Sequence, residues 1–186
     1  MASGYFTGTG DSGDTGLLGK ERVSKSDELI EAIGSVDELN GWIGLSLFYI
    51  RDDSVRKILH IVQNELFVIG ASLAMPGVEK ISKARLDEDA IIRLEEGIKK
   101  FGSKMPDLKQ FVIPGGCEGS VHLHLARAVA RRSERAVVSA SIKRTAKDRA
   151  VEKRVIAYLN RLSSLLFVLA LYLNFIEGID EEHPTY

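Results

Sequence analysis

Apolar residues recur every three or four positions through most of this 186-residue chain, and this spacing constrains the fold more than any other feature. It is the period of a helix with one buried face, whereas strand-type alternation is absent over any useful length. Only four prolines interrupt the chain. The pattern therefore predicts an all-α bundle of about five helices. The predicted helices span residues 26–50, 54–74, 87–101, 118–140 and 148–175, with Ser26 or Asp27 capping the first.

The composition narrows the class of protein. Apolar residues make up 45% and charged residues 27% of the chain, as in a folded globular protein, and the net charge of −1 argues against a globally basic nucleic-acid binder. The single cysteine, Cys117, excludes an intrachain disulfide and a cysteine-rich metal cluster, and we interpret it as a packing residue. The chain has no run of about 18 uncharged apolar residues and no signal-like start, so we expect no membrane span and a cytoplasmic location.

The chain divides into three segments of one domain. Residues 1–25 form a Gly-rich arm, residues 26–176 the helical bundle, and residues 177–186 a short acidic tail that we expect to be frayed.

The arm contains six glycines interleaved with Thr, Ser and Asp. Residues 8–13 satisfy the pattern GxGxxG, but no strand precedes them, and Glu21 after Gly19-Lys20 breaks the P-loop pattern. A Gly-rich backbone still exposes successive amides that suit phosphate. The arm is either a phosphate cradle or a mobile terminal segment, and its composition leaves both open.

The fourth predicted helix carries a group of charges in the sequence HLHLARAVARRSERAVV. At 100° per residue, Arg127, Arg131 and Glu134 lie within about 60° of each other, with Arg135 at the edge, while Arg132 points elsewhere. Such a face could hold a triphosphate, with the carboxylate near a metal ion, or it could be a solvated, salt-bridged surface. His122 and His124 point about 160° apart, so they cannot share one metal ion, and we interpret both as structural or surface residues.

Four blocks together resemble the PduO-type ATP:cob(I)alamin adenosyltransferases. They are TGTGDSGDTGLLGKERVSK, GSVDELNGWIGL, FVIPGG followed by HLARAVARRSERAVV, and YLNRLSSLLFVLA. The resemblance implies a ferritin-like five-helix bundle that assembles as a homotrimer with active sites between subunits. It implies transfer of the 5'-deoxyadenosyl group of ATP to reduced cobalamin, with release of triphosphate and with Mg²⁺ present. It also implies a reductase and a B12-dependent acceptor enzyme as partners.

The resemblance also assigns roles to residues. The nucleotide would contact the arm and the two last helices, with Asn160 reaching it from a neighbouring subunit and Glu134 near Mg²⁺. The expected ATP-binding residues are Thr7, Thr9, Gly10, Asp11, Gly13, Thr15, Lys25, Arg127, Arg131, Glu134 and Asn160. The expected catalytic residues are Arg127, Arg131, Phe111 and Asp37. The expected cobalamin-binding residues are Phe111, Asp37 and Phe167.

Two of these roles concern the corrin. Phe111 would face the lower side of the ring and displace the lower nitrogen ligand, which makes the cobalt easier to reduce. Asp37 would pair with Arg127 and hold the interface that shapes the corrin site.

Three residues depart from the family pattern: Gly8 where Lys or Arg is common, Ser164 where Asp is common, and Leu171 where Arg is frequent. The departures at Ser164 and Leu171 motivate an alternative, a non-catalytic corrinoid or nucleotide carrier with the same fold. A further alternative is a helical interaction protein whose basic helix docks an acidic partner or RNA.

Overall fold

A computed structural model describes Gly4 and residues 7–18, 21–75, 86–142 and 146–185, with side chains from residue 153 onward in the last range. Within these residues the chain forms five helices and one small hairpin. The helices are α1 (Glu28–Tyr49), α2 (Asp53–Leu73), α3 (Ala90–Gly102), α4 (Glu118–Ile142) and α5 (Ala146–Ile176). The strands are β1 (Asp14–Gly16) and β2 (Arg22–Ser24), which pair antiparallel. The predicted all-α fold is confirmed, and the hairpin in the arm is an addition to it.

The starts of α1 and α2 are set by aspartate caps. Asp27 accepts a hydrogen bond from the Leu29 amide at 2.8 Å, and Asp52 accepts one from the Val55 amide at 2.8 Å. Each satisfies an amide that lacks a partner within its helix. Of the two residues predicted to cap α1, Asp27 is the cap. Helix α3 begins at Ala90, three residues later than expected, because Asp87 turns instead to Arg93 at 2.7 Å.

The core is one continuous apolar cluster to which every helix contributes. Helix α4 packs mainly against α1 and α5, while α3 lies on α5 and α2 on α1. Leu39, Leu59, Leu94, Leu123 and Leu162 are almost fully buried, one from each helix. Each buried leucine contributes about 1.5–3 kcal/mol relative to an exposed one, so the stripes read from the sequence supply the main stabilisation.

Helix α4 runs antiparallel to both of its neighbours. The Ser133 hydroxyl donates to the Ser35 carbonyl at 2.7 Å, whereas Gly119 at the other end of α4 packs beside Ile50. Along α5, Asn160 lies level with Glu134, and Asn174 with Gly115. The second half of α4, the start of α1 and the arm therefore occupy the same end of the bundle.

A polar cluster, which we call the buried cluster, joins α2, α3 and α5 and consists of Glu65, Arg93 and Tyr158. Arg93 pairs with Glu65, and the Tyr158 hydroxyl donates to the other Glu65 oxygen at 2.6 Å. Tyr158 is fully buried, and its burial, next to the Glu65 charge, raises the pKa of the phenol well above its ordinary value. Both Glu65 oxygens are thus satisfied, as a buried carboxylate requires.

One segment of α5, Lys153–Ile176, is long and apolar enough to span a membrane by length and composition alone. Its uncharged stretch, 162–176, is shorter than the run that the sequence analysis required. Within the apolar window, 61% is buried inside the molecule, so this is the central helix of the bundle.

The tail is not frayed, contrary to the expectation. The Ile113 amide donates to the Glu182 carbonyl at 2.8 Å, and the His183 ring bonds the Phe111 carbonyl at 2.8 Å. The tail therefore lies along the loop that leads into α4. The acidic composition gave no sign of this, because the contacts are mainly to backbone groups.

Candidate active site

The charged face of α4 borders an open cleft near the end of the bundle where α1 begins. The cleft is lined by Arg131, Glu134, Arg135 and Val138 of α4 and by Asn160 of α5. Arg131 and Arg135 are exposed, while Glu134 is half-buried. Two guanidinium groups beside a carboxylate and an amide can bind a polyphosphate, since arginine donates in a fork that matches phosphate oxygens.

Arg132 does not belong to this group. It pairs with Glu38 of α1, away from the cleft, as the helical angles predicted.

A hydrogen-bonded chain, which we call the surface relay, connects the cleft to α3 and consists of Glu95, Arg161 and Asn160. The Arg161 Nε donates to Glu95 Oε1 at 2.8 Å, and another nitrogen of the same guanidinium donates to Asn160 Oδ1 at 2.9 Å. Asn160 Nδ2 in turn donates to Glu134 Oε1 at 3.2 Å. The relay therefore ends on the carboxylate that lines the cleft.

Arg127 lies one turn before Arg131 and is half-buried. Its guanidinium carbon is 5.8 Å from the centre of the Phe167 ring, a cation–π distance, and its Nε is buried without a hydrogen-bond partner among the described residues. Burial and then the Arg131 charge lower the pKa of Arg127 from its ordinary value. Phe167 and Arg127 thus form one surface, so the structure brings these two predicted site residues together.

His124 lies beside this surface as a buried residue, which fits its interpretation as structural. It is only 4% exposed, its ring is 6.0 Å from that of Phe167, and neither ring nitrogen has a partner among the described residues. Burial, and then the Arg127 charge, lower its pKa to about 4, so the imidazole is neutral at pH 7. The sequence contained no signal for this, because its position on α4 does not show which polar groups face it.

The other two discounted residues behave as interpreted. His122 stacks on Tyr49 with ring centres 4.4 Å apart and bonds the Glu118 carbonyl. Cys117 packs against the core, and burial raises the pKa of its thiol. In the part of the chain that the structure describes, no three His, Cys, Asp or Glu side chains converge to hold a metal ion by themselves.

The arm is ordered by its own backbone and by two basic residues. Arg22 donates to the Thr9 carbonyl at 2.6 Å and to the Asp14 carbonyl at 3.3 Å. The Lys25 amide donates to the Gly13 carbonyl at 2.8 Å, and its ammonium lies over Gly10. The Leu18 amide donates to the Ala74 carbonyl at 3.0 Å, which docks the arm on the end of α2.

The polar groups of the arm face solvent. Thr7, Thr9, Asp11 and Lys25 are exposed, and Thr15 is half-buried. The Thr7 and Thr9 hydroxyls bond each other at 2.9 Å. Gly8 and Gly13 have φ values of 70° and 91°, which residues with a side chain rarely adopt. The arm is thus a turn-rich loop whose hydroxyls and ammonium are accessible to an anion.

Phe111 lies at the opposite end of the bundle from the cleft and is 78% exposed. It precedes α4, whereas Glu134 lies 16 residues into that helix, about 24 Å along its axis at 1.5 Å per residue. One chain therefore does not bring Phe111 to the phosphate-binding face.

The loop after Phe111 is held by Asn174 of α5. Its side chain accepts from the Cys117 amide at 3.0 Å and donates to the Gly115 carbonyl at 3.2 Å and to Glu181 at 3.0 Å. Gly116, with φ of 100°, lies against this side chain, where an added Cβ would come within 2.0 Å of Asn174 Oδ1. The loop geometry therefore depends on a glycine at position 116.

Asp37 is exposed on α1 and forms no ion pair with Arg127 in a single chain, although both residues are described. The expected pair is therefore not made within one chain. Glu38 and Arg132 make the ion pair between α1 and α4 instead.

Comparison with known proteins decides what kind of site this is. Residues 5–173 match the profile of the Cobalamin adenosyltransferase family. The chain is 37% identical over 181 residues to a corrinoid adenosyltransferase of Bacillus subtilis, covering 95% of this chain and 89% of the relative. It is 40% identical over 167 residues to one of Citrobacter freundii, covering 89% and 92%.

The comparison with solved structures indicates the same family as the sequence relatives. A phenylalanine-to-alanine variant of a PduO-type ATP:corrinoid adenosyltransferase from Lactobacillus reuteri, complexed with cobalamin and ATP, superposes with a TM-score of 0.89. It is 30% identical, and the match covers 97% of this chain and 99% of that one. An arginine-to-lysine variant complexed with ATP gives a TM-score of 0.87. The chain belongs to the cobalamin adenosyltransferase family.

This adenosyltransferase places its three departures in different surroundings. Gly8 occupies a positive-φ turn, so a lysine or arginine there would be strained. Ser164 is exposed and bonds the Asn160 carbonyl at 3.4 Å. Leu171 is buried in the core, where an arginine would need a partner. None of the three removes a residue of the cleft.

Proposed function

We propose that this chain transfers the 5'-deoxyadenosyl group of ATP to the Co(I) centre of a reduced corrinoid. The observation that carries the proposal is the family match over residues 5–173, which includes both the arm and the cleft. In the reaction, the electron pair of Co(I) attacks C5', a cobalt–carbon bond forms and the bond from C5' to the triphosphate oxygen breaks. The triphosphate leaves with that bond's electrons, and the cobalt becomes formally Co(III).

The contribution of the protein is alignment and charge stabilisation, because the reduced cobalt is already a strong nucleophile. Arg131 and Arg127 would bind the triphosphate and stabilise its negative charge as it departs. Asn160 would donate to the nucleotide from the same chain as Glu134, which holds its amide at 3.2 Å, and not from a neighbouring subunit as expected. Water must be limited around the reacting atoms, since Co(I) also reduces protons.

The arm supplies the second half of the nucleotide site in this proposal. Its ammonium from Lys25 and its hydroxyls from Thr7, Thr9 and Thr15 would contact ATP, with the backbone of Gly10, Asp11 and Gly13 forming the concave surface. The accessible polar groups support this assignment, as does the position of the arm at the same end of the bundle as the cleft.

Glu134 fits a magnesium ion that is carried by the nucleotide. Mg²⁺ retains several waters and is typically bound by one or two carboxylates together with substrate phosphates. One Glu134 oxygen accepts from Asn160, which leaves the other available. When bound, the ion would neutralise phosphate charge beside Arg131.

The active site is proposed to lie between copies of the chain in a homotrimer. The 24 Å along α4 between the Phe111 end and Glu134 supports this, since one reaction centre needs both groups close together. Asp37 of one copy would meet Arg127 of another, next to Phe167 and the corrin. A cytoplasmic location, a reductase that supplies Co(I) and a B12-dependent acceptor enzyme are part of the same proposal.

The test is an anaerobic assay with ATP, Mg²⁺ and chemically reduced cobalamin. We expect ATP-dependent loss of the Co(I) spectrum and a light-sensitive adenosylcobalamin product. Binding of ATP and cobalamin without conversion would overturn the enzymatic proposal in favour of a carrier. Binding of neither would leave only the helical interaction protein.

Phe111→Ala tests the role of the Phe111 ring separately from the transfer step of the proposed reaction. We expect transfer to Co(I) supplied ready-made to be nearly retained, whereas transfer starting from Co(II) with a reductant falls at least tenfold. Phe111 is exposed, so its loss leaves no core cavity. Equal losses in both assays would reject the displacement of the lower ligand.

A further inference from the structure

The orientation of the Asn160 amide is fixed by its neighbours. A guanidinium only donates hydrogen bonds, so the Asn160 atom that meets Arg161 at 2.9 Å must be the oxygen. A carboxylate only accepts, so the atom that meets Glu134 at 3.2 Å must be the nitrogen. The two contacts require the same orientation of the amide, and neither tolerates the flipped one.

Arg161 is itself held from α3. Its Nε donates to Glu95 at 2.8 Å, and the two side chains are 47% and 41% exposed. A surface ion pair of this exposure contributes little to stability. Its geometric effect is larger, because the planar guanidinium cannot rotate freely while one edge is bound to Glu95.

We infer that Arg161, anchored by Glu95, is a positioning residue that orients Asn160 for the nucleotide. With the oxygen turned to Arg161, the amide directs its nitrogen toward the cleft lined by Glu134 and Arg131. Asn160 therefore presents an N–H donor there, and the group that it recognises is an acceptor of ATP. The inference rests on the proposed function for the identity of the ligand, but ATP binding alone can test it.

Arg161→Met is the main variant, because it removes both hydrogen bonds and keeps a flexible stem of similar length. We expect the dissociation constant for ATP, measured by calorimetry, to rise about three- to tenfold, as for the loss of one to two hydrogen bonds. Affinity for cobalamin should change less than twofold. Glu95→Gln, which weakens only the anchor, should have a smaller effect in the same direction.

The matched control is Arg154→Met. Arg154 lies on the same helix, is 42% exposed and pairs with Glu88 at 3.5 Å, but it touches none of the site residues. ATP binding by this variant should equal that of the parent chain. If ATP affinity depended only on the number of positive charges on α5, both variants would bind ATP equally weakly. Equal losses of ATP affinity would therefore overturn the inference.

The Asn160→Ala background separates positioning from direct contact. If Arg161 acts through Asn160, adding Arg161→Met to Asn160→Ala changes ATP affinity less than twofold. A further three- to tenfold loss would mean that Arg161 acts on ATP itself, which overturns the inference. Unchanged affinity in the single Arg161→Met variant would overturn it as well.

The closing experiment keeps the two proposals distinguishable. A parent chain that binds ATP but makes no adenosylcobalamin would contradict the proposed transfer. The dissociation constants of the variants for ATP would still decide the role of Arg161. A parent chain that does not bind ATP would overturn both.

Discussion

The buried cluster and the surface relay both connect α3 to α5, yet they differ in what surrounds them. In the buried cluster, Glu65 is 8% exposed and bonds Arg93 and Tyr158 inside the bundle. In the surface relay, Glu95 and Arg161 are almost half exposed and lead to Asn160 at the cleft. Burial makes a broken polar contact costly, whereas solvent replaces one at the surface. We therefore expect the first cluster to determine stability and the second to determine ligand geometry.

Breaking the buried cluster should have the largest effect. Glu65→Leu removes the acceptor of the Tyr158 hydroxyl. Arg93 then keeps only its ion pair with Asp87. We expect the free energy of unfolding in urea to fall by about 3 kcal/mol, while ATP affinity stays within twofold. A loss below about 1 kcal/mol would contradict the distinction between the two clusters.

His124 extends the comparison to a buried polar group that has no hydrogen-bond partner among the described residues. Its folded-state pKa is about 4 against an ordinary value of 6.5, so below pH 6.5 the unfolded chain takes up a proton that the folded chain does not. Stability should therefore fall as pH drops from 6.5 to 4, by up to about 3 kcal/mol from this residue. Urea titrations across that range should show the loss in the parent chain and a correspondingly smaller one in His124→Leu.

Arg131→Ala tests the other side of the comparison, because Arg131 is proposed to contact the ligand and is exposed on the surface of the fold. Losing one charged contact to phosphate should reduce kcat/KM for ATP about 10- to 100-fold. Helix content and the unfolding midpoint should be unchanged, since Arg131 is exposed. Arg132→Ala, one residue along and paired with Glu38, is the control, and a similar loss of activity there would argue against the assignment of the cleft.

Glu88→Gln should have the smallest effect. It weakens an exposed pair with Arg154 at 3.5 Å that reaches no site residue. We expect the free energy of unfolding to change by less than about 0.5 kcal/mol, and ATP affinity to be unaffected. A cost comparable with that of Glu65→Leu would show that exposure does not separate the clusters.

The helices could be predicted because each buries one stripe of apolar residues, and the period of that stripe is visible in the chain. The same geometry correctly grouped Arg131 and Glu134 and separated Arg132, since positions on one helix have known angles. Beyond one helix this reasoning stops. The contact of Arg161 with Glu95 depends on how α3 packs on α5, and no local pattern encodes it.

Two further findings could not be predicted from the sequence for the same reason. The tail residues Glu182 and His183 pair with the loop through backbone groups, which any sequence offers equally. The distance from the Phe111 end of α4 to Glu134 follows from the direction of α4 and became evident only once the helix bounds were known. The family resemblance supplied the roles of both residues but not their separation within one chain.

The contact between Gly116 and Asn174 restricts how this protein can diverge. Asn174 fills the space that a side chain at position 116 would need, and its three hydrogen bonds hold both the loop and Glu181. Replacing the glycine alone would push Asn174 out, and replacing the asparagine alone would remove the acceptor of the Cys117 amide. The two positions must therefore change together. A library that varies only one of them should yield the parent residue among its folded members.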